Sequence, residues 1–480
     1  MPLPAPPCPG PMPRAATRRA LLAGSSAGFG ALALSGIVGT SAPAAPGVWA
    51  PARGRRARSV VFCFMDGGPS HVDTFDPKPM LAVHEGKAIG AERVSRRSQS
   101  AASRVWLGSP WTFRQRGGSG LWVSDLLPHL ATVADELCVV RSVVGELPLH
   151  GQQALLTHTG RILGAAPSLG AWVSYGLGTE ADDLPSYVVL NNDWVPNGGL
   201  ENFGSAFLPA SCQATSIRAS GTPVDSILPA DPLPRQRRLL DLVAAQDRAF
   251  AAESSDAAAI ESLISNQETA FRMQAAVPDV LDVAREPEHV RRLYGLDSDD
   301  EHERLYALQA LRARRLVEAG VRFVEITCPS FDGNNSPWDQ HGQLKKLHEK
   351  NARVTDRAVT ALIVDLKARG LLEETVVLWG GEMGRTPHTP AVNPDCGRDH
   401  HVDGYTLFLA GGGFRGGTTF GETDDFGNAV VADPVDIHDI HATILARLGV
   451  DHERLVFRHG GRDHRLTDVK GRVLHRLVDG

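Results

Sequence analysis

The sequence predicts an α/β fold in three layers, with a mostly parallel sheet flanked by helices. Two observations lead to this prediction: continuous apolar, β-rich runs alternate with helical patterns, and clusters of Asp, Glu and His adjoin those runs. Such alternation is typical of a parallel sheet that is covered on both faces. Ligand sites of open α/β sheets lie at the carboxyl ends of the strands, so the polar clusters are expected to meet at one edge.

Four apolar runs are the predicted strands. The first run, SVVFCFM, ends in the turn-forming DGGPSH, and the last run, YTLFLAGGG, follows GRDHHVDG. A run without polar alternation indicates a strand that is buried on both faces. The predicted strands are 59–65, 321–327, 375–381 and 405–413. The predicted helices are 303–319, 344–369 and 437–448.

Residues 1–45 have the pattern of a twin-arginine export signal. Arg18 and Arg19 form the arginine pair, and the apolar segment 20–38 is diluted by Gly and Ser. A stable membrane anchor would need about 20 strongly apolar residues. The small residues SAPAA, which end at Ala45, match a cleavage site. We therefore expect the twin-arginine export machinery to deliver a mature chain without a stable membrane span to the periplasm or the extracellular space.

The rest of the chain is predicted to be one large domain. Residues 46–58 form a linker rich in Pro, Ala and Arg, and 59–480 carry the strand and helix patterns. Within that domain 231–292 is strongly helical without a strand pattern, which predicts a helical insertion. The formal net charge is −6 and becomes more negative without the basic signal, which argues against nucleic acid as a partner.

The polar clusters at the predicted strand ends contain carboxylates and imidazoles. These are the ligands of a divalent metal such as zinc, manganese or calcium, and we expect one or two ions. The adjacent His400 and His401 leave open which imidazole faces the site, and Asp66 is also consistent with a residue that closes a turn. The candidate ligands are Asp66, Asp339, His341, Glu382, His400 and His401.

Several motifs together resemble one bacterial family of exported proteins. They are FMDGGPSHVDTFDPKP, HTGRILGAAPSLGAWVSYGLG, WDQHG, VVLWGGEMGRTP, GRDHHVDGYTLFLAGGG and DPVDIHDIHATILARLGVDHERL. The family is domain of unknown function 1501, which is related to the sulfatase and alkaline phosphatase superfamily. The resemblance implies an alkaline-phosphatase/sulfatase-like fold for residues 59–480. It also implies that Asp66 corresponds to a first metal-binding aspartate, and that Glu382 and Met383 replace the Asp and the neighbouring His or Asn of a second ligand segment.

One position departs from the sulfatase pattern. Sulfatases carry a Cys or Ser ten residues before the Gly of a Leu-Thr-Gly-Arg segment, whereas His150 stands in that place before Gly160. Formylglycine chemistry is therefore not expected. We expect His150 to act as the nucleophile or as the base that activates water, and Arg385 to bind the anionic oxygen. Ser70 is a second nucleophile candidate.

Two functions from different classes fit these observations. The first is an exported metal-dependent hydrolase of phosphate, sulfate or related anionic esters, either small molecules or glycans. The alternative is a catalytically inactive protein of the same fold that binds an anionic glycan or a partner protein. The absent Cys or Ser and the presence of Met383 at a ligand position support the alternative, while the hydrolase is the leading hypothesis.

Overall fold

The computed structural model describes residues 57–90, 97, 103–192, 194–224, 227, 229, 231–254, 257–330 and 336–478. The predicted signal and nearly all of the predicted linker lie outside these residues.

A nine-stranded sheet forms the centre of the domain. Its strands are β1 (Ser59–Phe64), β2 (Leu137–Val144), β3 (Tyr187–Asn191), β4 (Thr215–Arg218), β5 (Phe323–Thr327), β6 (Thr375–Gly380), β7 (Tyr405–Gly411), β8 (Thr418–Phe420) and β9 (Val435–Asp436). The longer helices are α1 (His150–Thr159), α2 (Leu169–Leu177), α3 (Leu233–Glu253), α4 (Ala257–Leu281), α5 (Glu301–Glu318), α6 (Leu344–Ala368) and α7 (Ile437–Arg447).

Shorter elements lie around the sheet. The short helices include His71–Thr74, Pro79–His84 and Glu288–Tyr294. Two-stranded ribbons pair Phe113–Arg116 with Leu121–Ser124, Val105–Trp106 with His388–Thr389, Gly384–Arg385 with His400–His401, Glu422–Thr423 with Val430–Ala432, and Phe457–His459 with Arg462–His464.

The strand order is β8-β2-β7-β6-β1-β5-β3-β4, and β9 also pairs with β2. Neighbouring strands run parallel except for β7, which is antiparallel to both β2 and β6. The predicted mostly parallel sheet is therefore confirmed. Because β7 runs in the opposite direction, its amino end lies at the edge where β1, β5 and β6 have their carboxyl ends. For this reason the cluster Asp399–His401 lies before its strand, β7, whereas the other polar clusters lie after their strands.

Both faces of the sheet are covered, as the apolar runs predict. Val61 and Cys63 of β1 belong to one core cluster, to which α5 and α6 contribute. Phe62 and Phe64 belong to a second cluster on the opposite face, which includes residues of α1, α2 and α7. Side chains of a strand alternate between the two faces, so one apolar strand supplies both cores and the domain has three layers.

The helices begin and end close to their predicted bounds. The Asp300 carboxylate accepts hydrogen bonds from the backbone N–H groups of His302 and Glu303 at the start of α5. Asp436 and Asp439 form a capping box at the start of α7. In the segment 231–292 the structure has the long helices α3 and α4. Among the described residues, no helix combines the length and apolar character that crossing a membrane requires.

Candidate metal centre

The polar clusters meet at one edge of the central sheet. Asp66 follows β1, and Glu382 follows β6. His400 precedes the antiparallel strand β7, and its ring nitrogen Nε2 lies 3.2 Å from Oδ1 of Asp339, which follows β5. His150 is the first residue of α1. Segments that are far apart in the chain therefore supply one group of side chains.

Three of these side chains are close enough to share one ion. Donor atoms of His150, Asp339 and His400 lie within 4.8 Å of one another. Nε2 of His150 is 3.3 Å from Oδ2 of Asp339. Two imidazoles with one carboxylate form the ligand type of catalytic zinc sites, which leave a coordination position open for substrate or water.

The hydrogen bond at Nδ1 of His400, on the side of the ring away from Asp339, indicates whether Nε2 can bind a cation. Nδ1 of His400 donates to the carbonyl oxygen of Pro148 at 2.8 Å, so the neutral ring carries a lone pair at Nε2. Burial lowers the pKa of His400, which favours that neutral form. Its Nε2 thus presents a lone pair to Oδ1 of Asp339, and Nε2 of His341 lies 3.0 Å from the same nitrogen. A divalent cation between His400 and Asp339 would be bound by both of these electron-pair donors, so the residues fit a metal.

His150 is held from its other ring nitrogen. Its Nδ1 lies 2.5 Å from Oε1 of Glu382, a fully buried carboxylate that also accepts from the backbone N–H of Gly67 at 3.1 Å. A carboxylate that orients a ligating imidazole is a common second partner in metal sites. Burial lowers the pKa of His150, but hydrogen bonds to Asp339 and Glu382 outweigh it and raise the pKa to about 9.

His341 lies at the solvent-exposed side of the group. Its Nδ1 is 2.8 Å from Oδ1 of Asp399, and its Nε2 is 3.0 Å from Nε2 of His400. Hydrogen bonds to Asp339 and Asp399 raise the pKa of His341 to about 9. Its side chain is 45% exposed, in contrast to that of His400 at 7%, so this imidazole is the one in the group that solvent and a ligand reach most easily.

Arg385 is wholly buried and engaged with protein oxygens. Its Nη1 lies 2.5 Å from Oδ1 of Asp339, and its Nε and Nη2 donate to the carbonyl oxygens of Gly68 and Gly67. Burial raises the pKa of Asp339, but the charge of Arg385 and the hydrogen bonds from the three neighbouring histidines together outweigh it and lower the pKa. Arg385 therefore fixes the central carboxylate and the turn after β1.

Asp66 lies beside the group and is anchored by Asn197. The backbone N–H and the side-chain amide of Asn197 each donate to the Asp66 carboxylate at 3.1 Å. Burial and the nearby negative charge of Glu382 raise the pKa of Asp66. Asn197 was not identified from the sequence, where it stands in the turn PNGG like any turn residue. The orienting roles of Asp399 and the Pro148 carbonyl were not predicted either.

Two of the predicted residues lie apart from this group. His401 points away from His400, because successive side chains of a strand face opposite sides, and its ring stacks on His71 with centroids 5.7 Å apart. The hydroxyl of Ser70 donates to Oδ2 of Asp73 at 2.6 Å. The structure thus brings together Asp66, His150, Asp339, His341, Glu382, Arg385 and His400.

Glycine allows the strand ends to approach. Gly67 has φ = +102°, and a Cβ there would lie 2.6 Å from the backbone nitrogen of Asp339. The backbone N–H of Trp338 donates to the carbonyl oxygen of Asp66 at 3.0 Å. The turn after β1 and the segment that carries Asp339 are therefore in direct backbone contact.

Comparison with known proteins gives a family and a set of structures with similar folds. Residues 57–478 match the family described as protein of unknown function DUF1501. No curated protein shows significant sequence similarity to the chain. A sulfatase from Pseudoalteromonas sp. is similar in structure, with 13% identity, a TM-score of 0.37, and coverage of 84% of this chain and 69% of the sulfatase.

Two further structures are similar to the same degree or less. A protein in the alkaline phosphatase superfamily from Vibrio parahaemolyticus has 10% identity, a TM-score of 0.37, and coverage of 84% of this chain and 69% of its own. A phosphonate monoester hydrolase from Silicibacter pomeroyi has 11% identity, a TM-score of 0.31, and coverage of 67% and 68%. The similarity to these structures is one of fold.

Proposed function

We propose that this chain, which belongs to the DUF1501 family, is a metal-dependent hydrolase of phosphate, sulfate or related anionic esters. The observation that carries the proposal is the convergence of His150, Asp339 and His400, whose donor atoms lie within 4.8 Å of one another. Zinc is the ion that this ligand set favours.

The proposal gives each side chain of the group a role. His150, Asp339 and His400 would hold the ion, with Glu382 and the Pro148 carbonyl fixing the two imidazoles. The chemistry that a divalent ion supplies in such a site is Lewis-acid polarisation of the ester and acidification of water. The geometry favours a ligand role for His150 over the nucleophile role expected from the sequence, because its Nε2 faces Asp339 beside His400.

His341 is the proton donor and acceptor in this proposal. Asp399 holds Nδ1 of His341, and Nε2, which lies 3.0 Å from Nε2 of His400 and 3.1 Å from Oδ1 of Asp339, is the atom that would exchange a proton with an ester bound at this group. A carboxylate that fixes one imidazole nitrogen while the other performs acid–base chemistry is the arrangement of the hydrolytic triads. Arg385 orients Asp339 and donates hydrogen bonds to protein oxygens, so in this proposal it is a positioning residue.

Metal analysis tests the proposal first. Purified protein, dialysed against zinc and then against buffer, is expected to retain near-stoichiometric metal by plasma mass spectrometry. The variant Asp339→Ala/His400→Ala is expected to lose it. The control Asp463→Ala/His464→Ala removes the same residue types from the Phe457–His464 hairpin and is expected to keep the metal. Wild type that takes up no zinc, manganese or calcium would contradict the proposal.

Turnover then separates the hydrolase from the alternative function. Nitrophenyl phosphate, nitrophenyl sulfate and a nitrophenyl phosphonate are suitable probes, and hydrolysis is expected to disappear in Asp339→Ala. A catalytically inactive binding protein is supported by one observation: Arg385 is fully buried, and each of its three nitrogen atoms already contacts a protein oxygen. Metal without turnover of any probe would support that second function.

Export is proposed on the sequence alone. Arg18 and Arg19 precede a weakly apolar segment, as in signals of the twin-arginine machinery, which would place the protein in the periplasm or outside the cell. Replacing both by Lys is expected to keep the precursor in the cytoplasm, measured by cell fractionation. Unchanged export of that variant would contradict this route.

A further inference from the structure

A buried ion pair lies in the interior beneath the candidate site. Glu325 stands in the middle of β5, between β1 and β3, and is fully buried. Its Oε1 lies 2.8 Å from Nε2 of His158, which belongs to α1 and is 3% exposed. The His158 ring packs on Phe62 and Phe64, with centroid distances of 5.6 and 4.6 Å. A charged pair thus replaces apolar contact between α1 and the central sheet.

The ring of His158 has a fixed orientation. Its Nδ1 donates to the carbonyl oxygen of Ala154 at 2.7 Å, so this nitrogen carries a proton. A proton between Nε2 and Oε1 of Glu325 completes the pair. Burial lowers the pKa of His158, but the charge of Glu325 and the hydrogen bonds to Glu325 and Ala154 together outweigh it and raise the pKa, in keeping with a charged imidazole. Both ring nitrogens are therefore bonded, and the ring cannot turn without breaking a bond.

Two further imidazoles hold the same end of α1. Nε2 of His441 lies 2.8 Å from the carbonyl oxygen of Thr157, and Nε2 of His438 lies 2.8 Å from that of Gly160. Both histidines belong to α7. The last carbonyl groups of a helix have no partner inside it, so these bonds fix the carboxyl end of α1. The amino end of the same helix is His150.

Stability alone does not require the ion pair. Replacing a buried pair by apolar residues of similar volume is often neutral or stabilising, because removing two charges from water is costly. A hydrogen-bonded pair is directional, whereas apolar contact is not. The pair therefore defines the rotation and the axial position of the helix α1. Helical residues are rigidly connected over such a distance, so a shift at His158 moves His150.

We propose that Glu325 and His158 are positioning residues, which fix α1 so that the His150 imidazole meets Asp339 and Glu382. The inference rests on the proposed function for the metal-binding role of His150, whereas the placement of that imidazole can be measured without metal. Neither Glu325 nor His158 contacts the reacting atoms in this assignment.

Two variants of Glu325 separate the effect of side-chain length from the effect of its charge. Glu325→Asp keeps the charge but shortens the side chain, so it cannot reach His158 from the unmoved strand. Glu325→Gln loses the charge but keeps the reach, since its amide can donate to the lone pair that neutral His158 would have at Nε2. A positioning role predicts that Glu325→Asp displaces His150 and Glu325→Gln does not. A purely electrostatic role predicts the opposite order.

The readout is the imidazole nitrogen NMR signal of His150 in the metal-free, histidine-labelled full chain, assigned by its loss in His150→Asn. We expect a changed signal in Glu325→Asp and a wild-type signal in Glu325→Gln. The control Asp365→Asn alters another buried pair, Asp365 with Arg314 at 2.9 Å, and is expected to lower stability without moving the signal. A wild-type signal in folded Glu325→Asp, or a shift in Glu325→Gln alone, would overturn the proposal.

Zinc affinity is the second readout. A chelator competition assay is expected to show about ten- to hundred-fold weaker binding in Glu325→Asp, the loss typical of removing an outer partner of a metal site. Glu325→Gln and Asp365→Asn are expected to bind as wild type does. Absence of zinc binding in wild type would contradict the proposed function, while the NMR comparison would still decide the positioning role.

Discussion

The carboxylate of Asp399 joins His341 to a buried arginine: its Oδ1 lies 2.8 Å from Nδ1 of His341, and its Oδ2 lies 2.7 Å from Nη2 of Arg104. The arginine fixes the carboxylate, and the carboxylate fixes the imidazole. The His341 ring is therefore held in one orientation although its side chain is half-exposed.

Loss of the Asp399 charge is expected to affect turnover more than metal content. In Asp399→Asn, hydrolysis of the best ester substrate should fall by about 10- to 100-fold, because the amide holds Nδ1 of His341 less strongly and no longer stabilises its charged form. The exposed Asp395 in the same loop provides the control Asp395→Asn, which should act as wild type. Equal turnover of the two variants would exclude the role given to Asp399.

Gly67 and Gly86 provide a matched test of the contact between strand ends. Both have positive φ, but a Cβ at Gly67 would meet the Asp339 backbone at 2.6 Å, whereas a Cβ at Gly86 meets nothing within 4 Å. Gly86→Ala should cost about 1–2 kcal/mol of backbone strain. Gly67→Ala should cost about 1–3 kcal/mol more and weaken metal binding, because Asp339 must shift. Urea unfolding and zinc titration measure both effects, and equal costs would contradict the close approach.

Ser70 is expected to stabilise the fold without acting in catalysis. Its hydroxyl donates to Asp73, which is paired with the buried Arg398 at 2.7 Å. Because a hydrogen bond to a charged group contributes about 1.5–3 kcal/mol, Ser70→Ala should lower the free energy of unfolding by that amount. Metal content and turnover should not change. Loss of turnover with metal retained would restore Ser70 as a nucleophile.

The buried imidazole of His441 should make the fold sensitive to acid. Burial lowers the pKa of His441 from 6.5 to about 3. Between these values the unfolded chain binds a proton that the folded chain excludes, so stability falls as the pH falls from 6.5 towards 3. One such group changes the free energy of unfolding by about 1.4 kcal/mol per pH unit in this range.

The variant His441→Gln should remove this contribution. Urea unfolding at pH 6, 5 and 4 is expected to show a shallower loss of stability than in wild type. The exposed His459 gives the control His459→Gln, whose profile should follow wild type. If the stability of His441→Gln depends on pH as that of wild type does, the His441 imidazole has the same pKa in the folded and the unfolded chain.

The sequence predicts four of the nine strands, β1, β5, β6 and β7, because their apolar runs are buried on both faces. The run at 59–65 is apolar at every position before Asp66 apart from its first residue, and the structure buries all of β1. The apolar run of β7 does not indicate the direction of the strand, and its antiparallel direction was not predicted. A signal for it was present nearby, because the polar cluster precedes this strand and follows the others.

The candidate site was predictable by residue type but not by contact. A carboxylate or imidazole next to a strand end is visible in the sequence, whereas the choice between His400 and His401 depends on which side of a short strand each residue faces. Asn197 is an uncharged residue in a turn far from Asp66 in the chain, so nothing in its surroundings indicated the contact.

The pairing of β1 has a consequence for synthesis of the chain. This first strand lies between β5 and β6, which are made much later, so during translation it has no neighbour to pair with. Local contacts cannot complete the sheet, and such long-range pairing slows folding. A nascent chain that ends before Thr375 would have β1 with one side open. The domain is therefore expected to fold after nearly all of it has left the ribosome, with the apolar strand protected until then by other means.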